Sequence, residues 1–447
     1  MKSLLVLAPL AVALVLGATA SAKTAPVPSF AAAKRYAVPP ADNCGSCAHS
    51  TAIGDLDGDG RPDVLTVNDD ETISVFIGKP DGTLGSRRDY LTSGDPAGAA
   101  IADLNGDGHA DVAVADRGGF ATVFLNRGDG TLAAKQDYAC GAGPASIATG
   151  DIDGNDSPDL VVTNSSSISV LRNNGDGTFH AMEEYPVDKG SPVSVALGDL
   201  NGDGKADVVT GDGDRDVSVF LNHGDGTFQT ARDYDASGAV SVALGDLNGD
   251  GKLDIATARC GCGVAVLLNA GDGTLRRRRL YAVRGTFSSA ADPQSIAIAD
   301  LNGDHRADLV TANSDEHMSL LLNNGGGRFP TTTDVGTGKC GDVYRSDREL
   351  ATGDLNGDGR PDLAVASNGG LCVALAKPGL CNVQDVQGLK VAEARALLAR
   401  AHCRVGAIRR ARSLLVKRGE VSGQRPGFGR VVRAGTKVDL VVSRGRR

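Results

Sequence analysis

With 447 residues the chain is longer than one ordinary hydrophobic core needs, and no apolar run in it is long enough to span a bilayer as a helix. Its net charge of −9 hides a division: residues 377–447 hold 17 Lys/Arg against 4 Asp/Glu, a net of +13, which leaves −22 on the part before them. Asp outnumbers Glu 48 to 7, a bias that solubility alone does not produce but that a tight chelating loop does.

Lys2, the apolar run from Leu4 to Leu16 and the small residues Ala20-Ser21-Ala22 predict a secretory signal peptide over 1–22. The mature chain is therefore expected to be secreted and soluble. Nine Cys in an exported chain predict disulfides rather than metal or redox chemistry, and an odd number leaves one unpaired or bonded between chains.

From residue 55 onward a nine-residue phrase recurs, with acidic or amide side chains at its first, third, fifth and ninth positions. It starts at Asp55, Asp103, Asp151, Asp199, Asp246, Asp300 and Asp354, at intervals of 48, 48, 48, 47, 54 and 54 residues. The surrounding grammar is clearest in the fourth copy. VSVALG (193–198) precedes the phrase, ADVVTG (206–211) and VSVFLN (217–222) follow it, and after the turn HGDGT a last strand runs from Phe228 to Tyr234. Four short alternating strands per repeat predict a blade of a β-propeller.

The blade count has an independent check. In the fourth strand an aromatic residue or Leu precedes a Tyr by six residues: Leu84/Tyr90, Leu132/Tyr138, Phe179/Tyr185, Phe228/Tyr234 and Leu275/Tyr281. The sixth repeat has Phe329 and Val335, and the seventh ends near Ala376 without a fourth strand. Phe30 and Tyr36 show the same spacing ahead of the first phrase. The N-terminal segment is thus expected to supply the outer strand of blade seven and hide an open sheet edge. The fold class predicted is all-β, a seven-bladed propeller over 23–376, with a separate small α+β domain over 377–447.

Side-chain oxygens at positions one, three, five and nine, with a backbone carbonyl at seven, can wrap one hard cation, and an oxygen-only set selects Ca²⁺. Loop one offers Asp55, Asp57, Asp59 and Asp63; loop two Asp103, Asn105, Asp107 and Asp111; loop three Asp151, Asp153, Asn155 and Asp159. Loop four offers Asp199, Asn201, Asp203 and Asp207, and loop five Asp246, Asn248, Asp250 and Asp254. Loop six offers Asp300, Asn302, Asp304 and Asp308, and loop seven Asp354, Asn356, Asp358 and Asp362. The carbonyls would come from Arg61, His109, Ser157, Lys205, Lys252, Arg306 and Arg360. Gly at position six supplies the sharp reversal. Asp156 and His305 replace it in blades three and six, where the loops are expected to survive with lower affinity because Asp and His tolerate a left-handed backbone.

On these loops and their spacing, residues 29–376 resemble the FG-GAP/VCBS repeat family, the calcium-loop propellers that also form the head of integrin α chains. The resemblance implies a binding or adhesion platform with up to seven Ca²⁺, engaging an extracellular protein or glycan on the face opposite the calcium loops. That face would carry Cys44, Cys47, Cys140, Cys260, Cys262 and Cys340 and the insertions 282–293 and 336–349, with disulfides stapling the longer loops. Two motifs are read as structural. Arg127-Gly128-Asp129 sits in a turn that recurs as NNGDGT, NHGDGT and NAGDGT, and Arg276–Arg279 is a solvated run in an outer strand.

Beyond Cys381 the pattern changes: helical spacing in VAEARALLARAH (391–402), then strands at CRVGAI (403–408), GEVSGQ (419–424) and TKVDLVVS (436–443). With VQDVQGLKVAEARALL (383–398), EVSGQRPG (420–427) and AGTKVDLVVS (434–443), the tail resembles a PASTA domain, which implies contact with peptidoglycan. Its net +13 would also attract anionic wall polymers. Cys381 and Cys403 flank the helix of a domain with little core, and a disulfide between them is expected.

No HExxH, GxSxG or phosphate-binding glycine loop occurs, and the 7 His are scattered. Glu183 and Glu184 are adjacent in a strand and point to opposite faces. The expected function is therefore non-enzymatic: a secreted adhesion or protein-binding scaffold, cell-wall association included, with no nucleic-acid partner. A carbohydrate-binding lectin is the alternative, set back by the absence of Trp. A propeller-type polysaccharide lyase or hydrolase is the third reading.

Overall fold

Each repeat forms one antiparallel sheet of four strands, labelled a to d from the centre outward. The computed structural model describes residues 28–38, 47–213, 216–259, 263–283, 292–314, 317–336, 349–367, 369–377, 380–382, 385–400, 403–413, 416–427, 431–433 and 436–445. Blade four illustrates the pattern: Ser194–Gly198, Asp207–Gly211, Asp216–Phe220 and Arg232–Asp235. Strand b is buried along its whole length, whereas strand d is exposed at its two ends.

Seven such sheets occur among the described residues. Strand a of each blade lies against strand a of the next, and that of blade seven against that of blade one, so the sheets close into a ring. The apolar cores sit between blades. Leu56, Leu65, Ile73 and Val75 of blade one pack on Val112, Val114 and Phe124 of blade two, and the same arrangement repeats around the ring. At about 1.5–3 kcal/mol for each buried Val, Leu or Ile, these interfaces hold the ring together.

Blade seven is completed from the other end of the chain, as the Phe30/Tyr36 spacing predicts. Lys34–Tyr36 pairs antiparallel with Gly370–Ala374, with Arg35 opposite Cys372, and Phe30 bridges Ala376. Phe30 is 8 % exposed, in the core shared by blades six and seven.

In every blade but the sixth, a tyrosine of strand d reaches the next blade. Tyr36, Tyr90, Tyr138, Tyr185 and Tyr281 meet Phe76, Phe124, Phe179, Phe228 and Phe329 edge-to-face, with ring centroids 5.1–6.2 Å apart. Their hydroxyls reach the neighbour's turn, as where Tyr281 donates to the Gly327 carbonyl at 2.9 Å. One expectation is modified. The outer strand is not continuous from Phe228 to Tyr234: Asn222 bridges Phe228 and Val219 faces Arg232, so the outer chain carries one extra residue. Such a bulge interrupts the ladder and adds twist.

In the tail a helix, Val391–Arg400, packs on one face of a sheet ordered Arg404–Ala411, Lys437–Ser443, Val421–Arg425. The first pair is parallel. A further pair, Leu380–Asn382 with Val431–Arg433, was not legible in the sequence. Residues 1–22, most of the two insertions, Cys44, Cys260, Cys262, Cys340, the helix end at 401–402 and the side chain of Cys381 lie outside the described residues. Among the described residues, no helix is long and apolar enough to cross a membrane.

Candidate metal centre

The acidic phrase forms the turn between strands a and b in all seven blades. Its second residue anchors it: Leu56, Leu104, Ile152, Leu200, Leu247, Leu301 and Leu355 are all buried in the cores between blades. The ninth residue is the other anchor. Asp63, Asp111, Asp159, Asp207, Asp254, Asp308 and Asp362 are fully buried. In loop one, Asp63 accepts the Leu56 N–H at 2.7 Å on Oδ2 and the Gly78 N–H at 2.7 Å on Oδ1, and each other loop repeats both bonds.

Between the anchors the first Asp organises the turn. Asp55 Oδ1 accepts the Gly58 N–H and Oδ2 the Gly60 N–H, both at 2.8 Å. This requires a left-handed backbone at positions four and six. Position six has φ of 80° at Gly60, and Asp156 and His305 adopt 64° and 63°. Their N–H groups still reach Asp151 and Asp300, at 3.0 and 2.8 Å. The two substituted loops therefore keep the backbone form of the others. The glycine at position four, Gly58 with φ of 73°, is a second requirement that the sequence reading did not single out.

These anchors aim carboxylates at one point. Ligand oxygens of Asp55, Asp57 and Asp63 lie within 4.8 Å of one another, as do those of Asp151, Asp153 and Asp159. Both loops carry Asp rather than Asn at position three. Elsewhere the Asn makes a local bond, as where Asn201 Nδ2 donates to Asp203 at 2.9 Å. At position five, Asp59 and Asp358 are paired with Arg61 and Arg360, and Asp304 with Arg306 at 2.5 Å.

Burial is the main cause that pushes the ninth carboxyl up, to about 6 in Asp63, Asp159, Asp254 and Asp362 and about 7 in Asp308. Neighbouring carboxylates add to it. The backbone N–H bonds lower it but offset only part of the rise, and a cation or a proton joining the carboxylate would offset the rest. The donor set is all oxygen, three carboxylates converge in loops one and three, and the turn is preformed. These residues fit a hard divalent cation.

The residues read as structural behave so. Asp129 of the Arg127-Gly128-Asp129 turn accepts the N–H of its own Thr131 at 2.9 Å. Arg278 pairs with Asp235, and Arg279 donates to the Gly327 carbonyl at 3.3 Å. Glu183 pairs with Arg172 and Glu184 accepts from Ser167, so the two acids have separate partners. Cys140 is a free thiol, pushed up to about 12 by burial, so it is not one of the loop staples. Cys47, Cys372 and Cys403 are not free thiols.

A closed ring of four-stranded blades with an acidic turn after each first strand defines a repeat β-propeller. The chain belongs to the FG-GAP-like repeat family, whose model matches at 55–114, 103–162, 151–210, 199–257, 246–311 and 300–365. The tail matches the PASTA domain over 382–444. No curated protein matches the chain. Among solved structures, it is similar to an Agrocybe aegerita lectin described for recognition of non-reducing terminal N-acetylglucosamine. That likeness has 21 % identity and a TM-score of 0.50, over 72 % of this chain and 86 % of the lectin. It is also similar to BBS1N, solved in complex with ARL6DN, at 14 % identity and a TM-score of 0.52, over 79 % of this chain and 97 % of the other. Both likenesses concern the fold.

Proposed function

We propose that this protein is a secreted, calcium-stabilised propeller that serves as a non-enzymatic platform for an extracellular protein ligand. The observation that carries the reading is the sevenfold acidic turn, built on buried anchors that bring carboxylates together, where backbone N–H groups offset only part of their burial and mutual repulsion. Calcium would be held by positions one, three, five and nine with the carbonyl of position seven, and it would supply charge neutralisation and a rigid loop. Ligand contacts are assigned to the opposite end of the ring.

The tail is assigned to the cell wall. The open face of its sheet presents Arg404, Arg409, Arg425 and Lys437 around one acid, Asp439, whose carboxylate already accepts the Ala407 N–H at 2.6 Å. A disulfide between Cys381 and Cys403 is part of the proposal, since Cys403 is buried in the tail's core and is not free.

A lectin is the second reading, favoured by the fold shared with the fungal lectin. Calorimetric titration with Ca²⁺ tests the platform's metal, and a glycan array run in calcium separates the two readings. Binding to isolated peptidoglycan that is lost on removing the tail supports its wall role. Absence of heat from Ca²⁺ would overturn the metal assignment, and selective glycan binding would favour the lectin.

A further inference from the structure

An Asn follows strand c in blades two to six: Asn126, Asn173, Asn222, Asn269 and Asn323, each 4 % exposed or less. All five make the same bonds. The backbone N–H donates to the ninth Asp of the blade's own loop, at 2.7–2.8 Å. Nδ2 donates to the position-eight carbonyl of that loop at 2.7–3.0 Å. It also donates to the position-two carbonyl of the preceding blade's loop, at 2.6–2.8 Å. Oδ1 accepts from the Gly two residues on, which fixes the orientation of the amide.

The position-two peptide lies between ligand positions one and three. In loop three, the Ile152 N–H is held by Asp159 at 2.9 Å and its carbonyl by Asn222 at 2.7 Å. Asn222 therefore touches the backbone of loop three while gripping Asp207 of loop four at 2.8 Å. At the corresponding position, blades one and seven carry Gly78 and Ala376. Their N–H groups still donate to Asp63 and Asp362, at 2.7 and 2.6 Å, but they have no amide to reach back to Leu355 and Leu301. The chain of side-chain links thus runs from blade one to blade six and breaks on both sides of blade seven.

We infer that these asparagines are positioning residues that couple each acidic loop to the one before it, so that calcium occupancy is felt along blades one to six and not across blade seven. The inference rests on the calcium reading above. A buried, shared amide that joins two turns gives one loop's order a direct effect on the next, worth about fivefold in affinity.

The test uses the full-length protein, calcium titration and hydrogen exchange of peptides that report each loop. Loop four is disabled with Asp199→Asn and Asp203→Asn, and the calcium midpoint of loop three is read. Loop seven is disabled with Asp354→Asn and Asp358→Asn, and loop one is read; this second pair carries the same charge change without the amide link. Disabling loop four is expected to raise the midpoint of loop three about fivefold, while loop one stays within error. Asn222→Ala should abolish the first effect. The comparison of the two junctions needs no Asn substitution, so it stands if that variant does not fold. Equal shifts at both junctions, no shift at loop three, or a shift that survives Asn222→Ala would overturn the inference. Calcium protection absent from every loop of the unsubstituted protein would instead overturn the calcium reading, and the coupling with it.

Discussion

Asp212 shows how one atom changes a repeated network. In blades one and six the end of strand b carries Asn68 or Asn313, whose Nδ2 donates to Ser74 or Ser319, and that hydroxyl donates to Asp89 or Asp334. In blade four Ser218 Oγ lies 2.6 Å from Asp212 and 2.9 Å from Asp233, and it has one proton for two carboxylates. Lys189 faces Asp233 at 3.3 Å, and Asp216 adds a further negative charge. Burial first, then these like charges, push Asp212 up to about 7. A folded pKa raised from 3.8 contributes stability that is complete below about pH 4 and is lost as pH rises through 7. Asp212→Asn restores the amide donor, so in saturating calcium its melting temperature should exceed that of the parent increasingly from pH 5 to 8. At pH 8 the gain is roughly 1–3 kcal/mol; a difference that does not vary with pH would refute the assignment. The acidic positions of the turns were legible because they recur at one fixed spacing in seven repeats. The linking asparagines were visible as the first letter of NRGDGT, NNGDGT and NHGDGT. Their role was not, since each acts on a carbonyl about 70 residues earlier in the chain.

At the scale of elements, strands a to c were legible because sandwiched sheets impose their own pattern of burial. Strand d was read one bulge too long, because its exposed residues leave no apolar period across the extra residue. The closing strand was legible from Phe30 and Tyr36 alone, which occupy the sites that other blades fill from their own strand d. Glu349 reinforces that closure: Ser50 of blade one donates to its carboxylate, where Ser194, Ser241 and Ser295 elsewhere accept the next blade's N–H. Phe30→Ala should cost about 3 kcal/mol, as a large ring lost from a core does. Removal of residues 23–38 should expose the edge of Gly370–Ala374 and cause aggregation, seen by light scattering; a monomer with unchanged melting would show that the segment is dispensable. In the tail, peptide mapping of unreduced protein should recover Cys381 and Cys403 in one linked pair. That bridge would close about 22 residues and would stabilise the tail by roughly 3 kcal/mol in the chain-entropy model. Alkylation of either cysteine without reduction would contradict it.

For the whole molecule, the charge division and the two families agree: an acidic ring whose negative charge is gathered in its turns, and a small basic domain with its own core. Fold class was legible because repetition multiplies a weak strand signal sevenfold. The ligand was not, since the sequence marks the end of the ring that carries the acidic turns by composition and leaves the other end to loops without a shared pattern. Extracellular-type calcium sites with Kd near 10⁻⁴–10⁻³ M, in millimolar calcium, would each add roughly 0.4–1.4 kcal/mol. Summed around the ring, that is comparable to the net stability of a domain. Differential scanning calorimetry of the full-length protein, in millimolar calcium and then in excess chelator, tests the central claim most directly. The account predicts a propeller transition that falls markedly on chelation beside a tail transition that does not move; a propeller transition unchanged in chelator would contradict it.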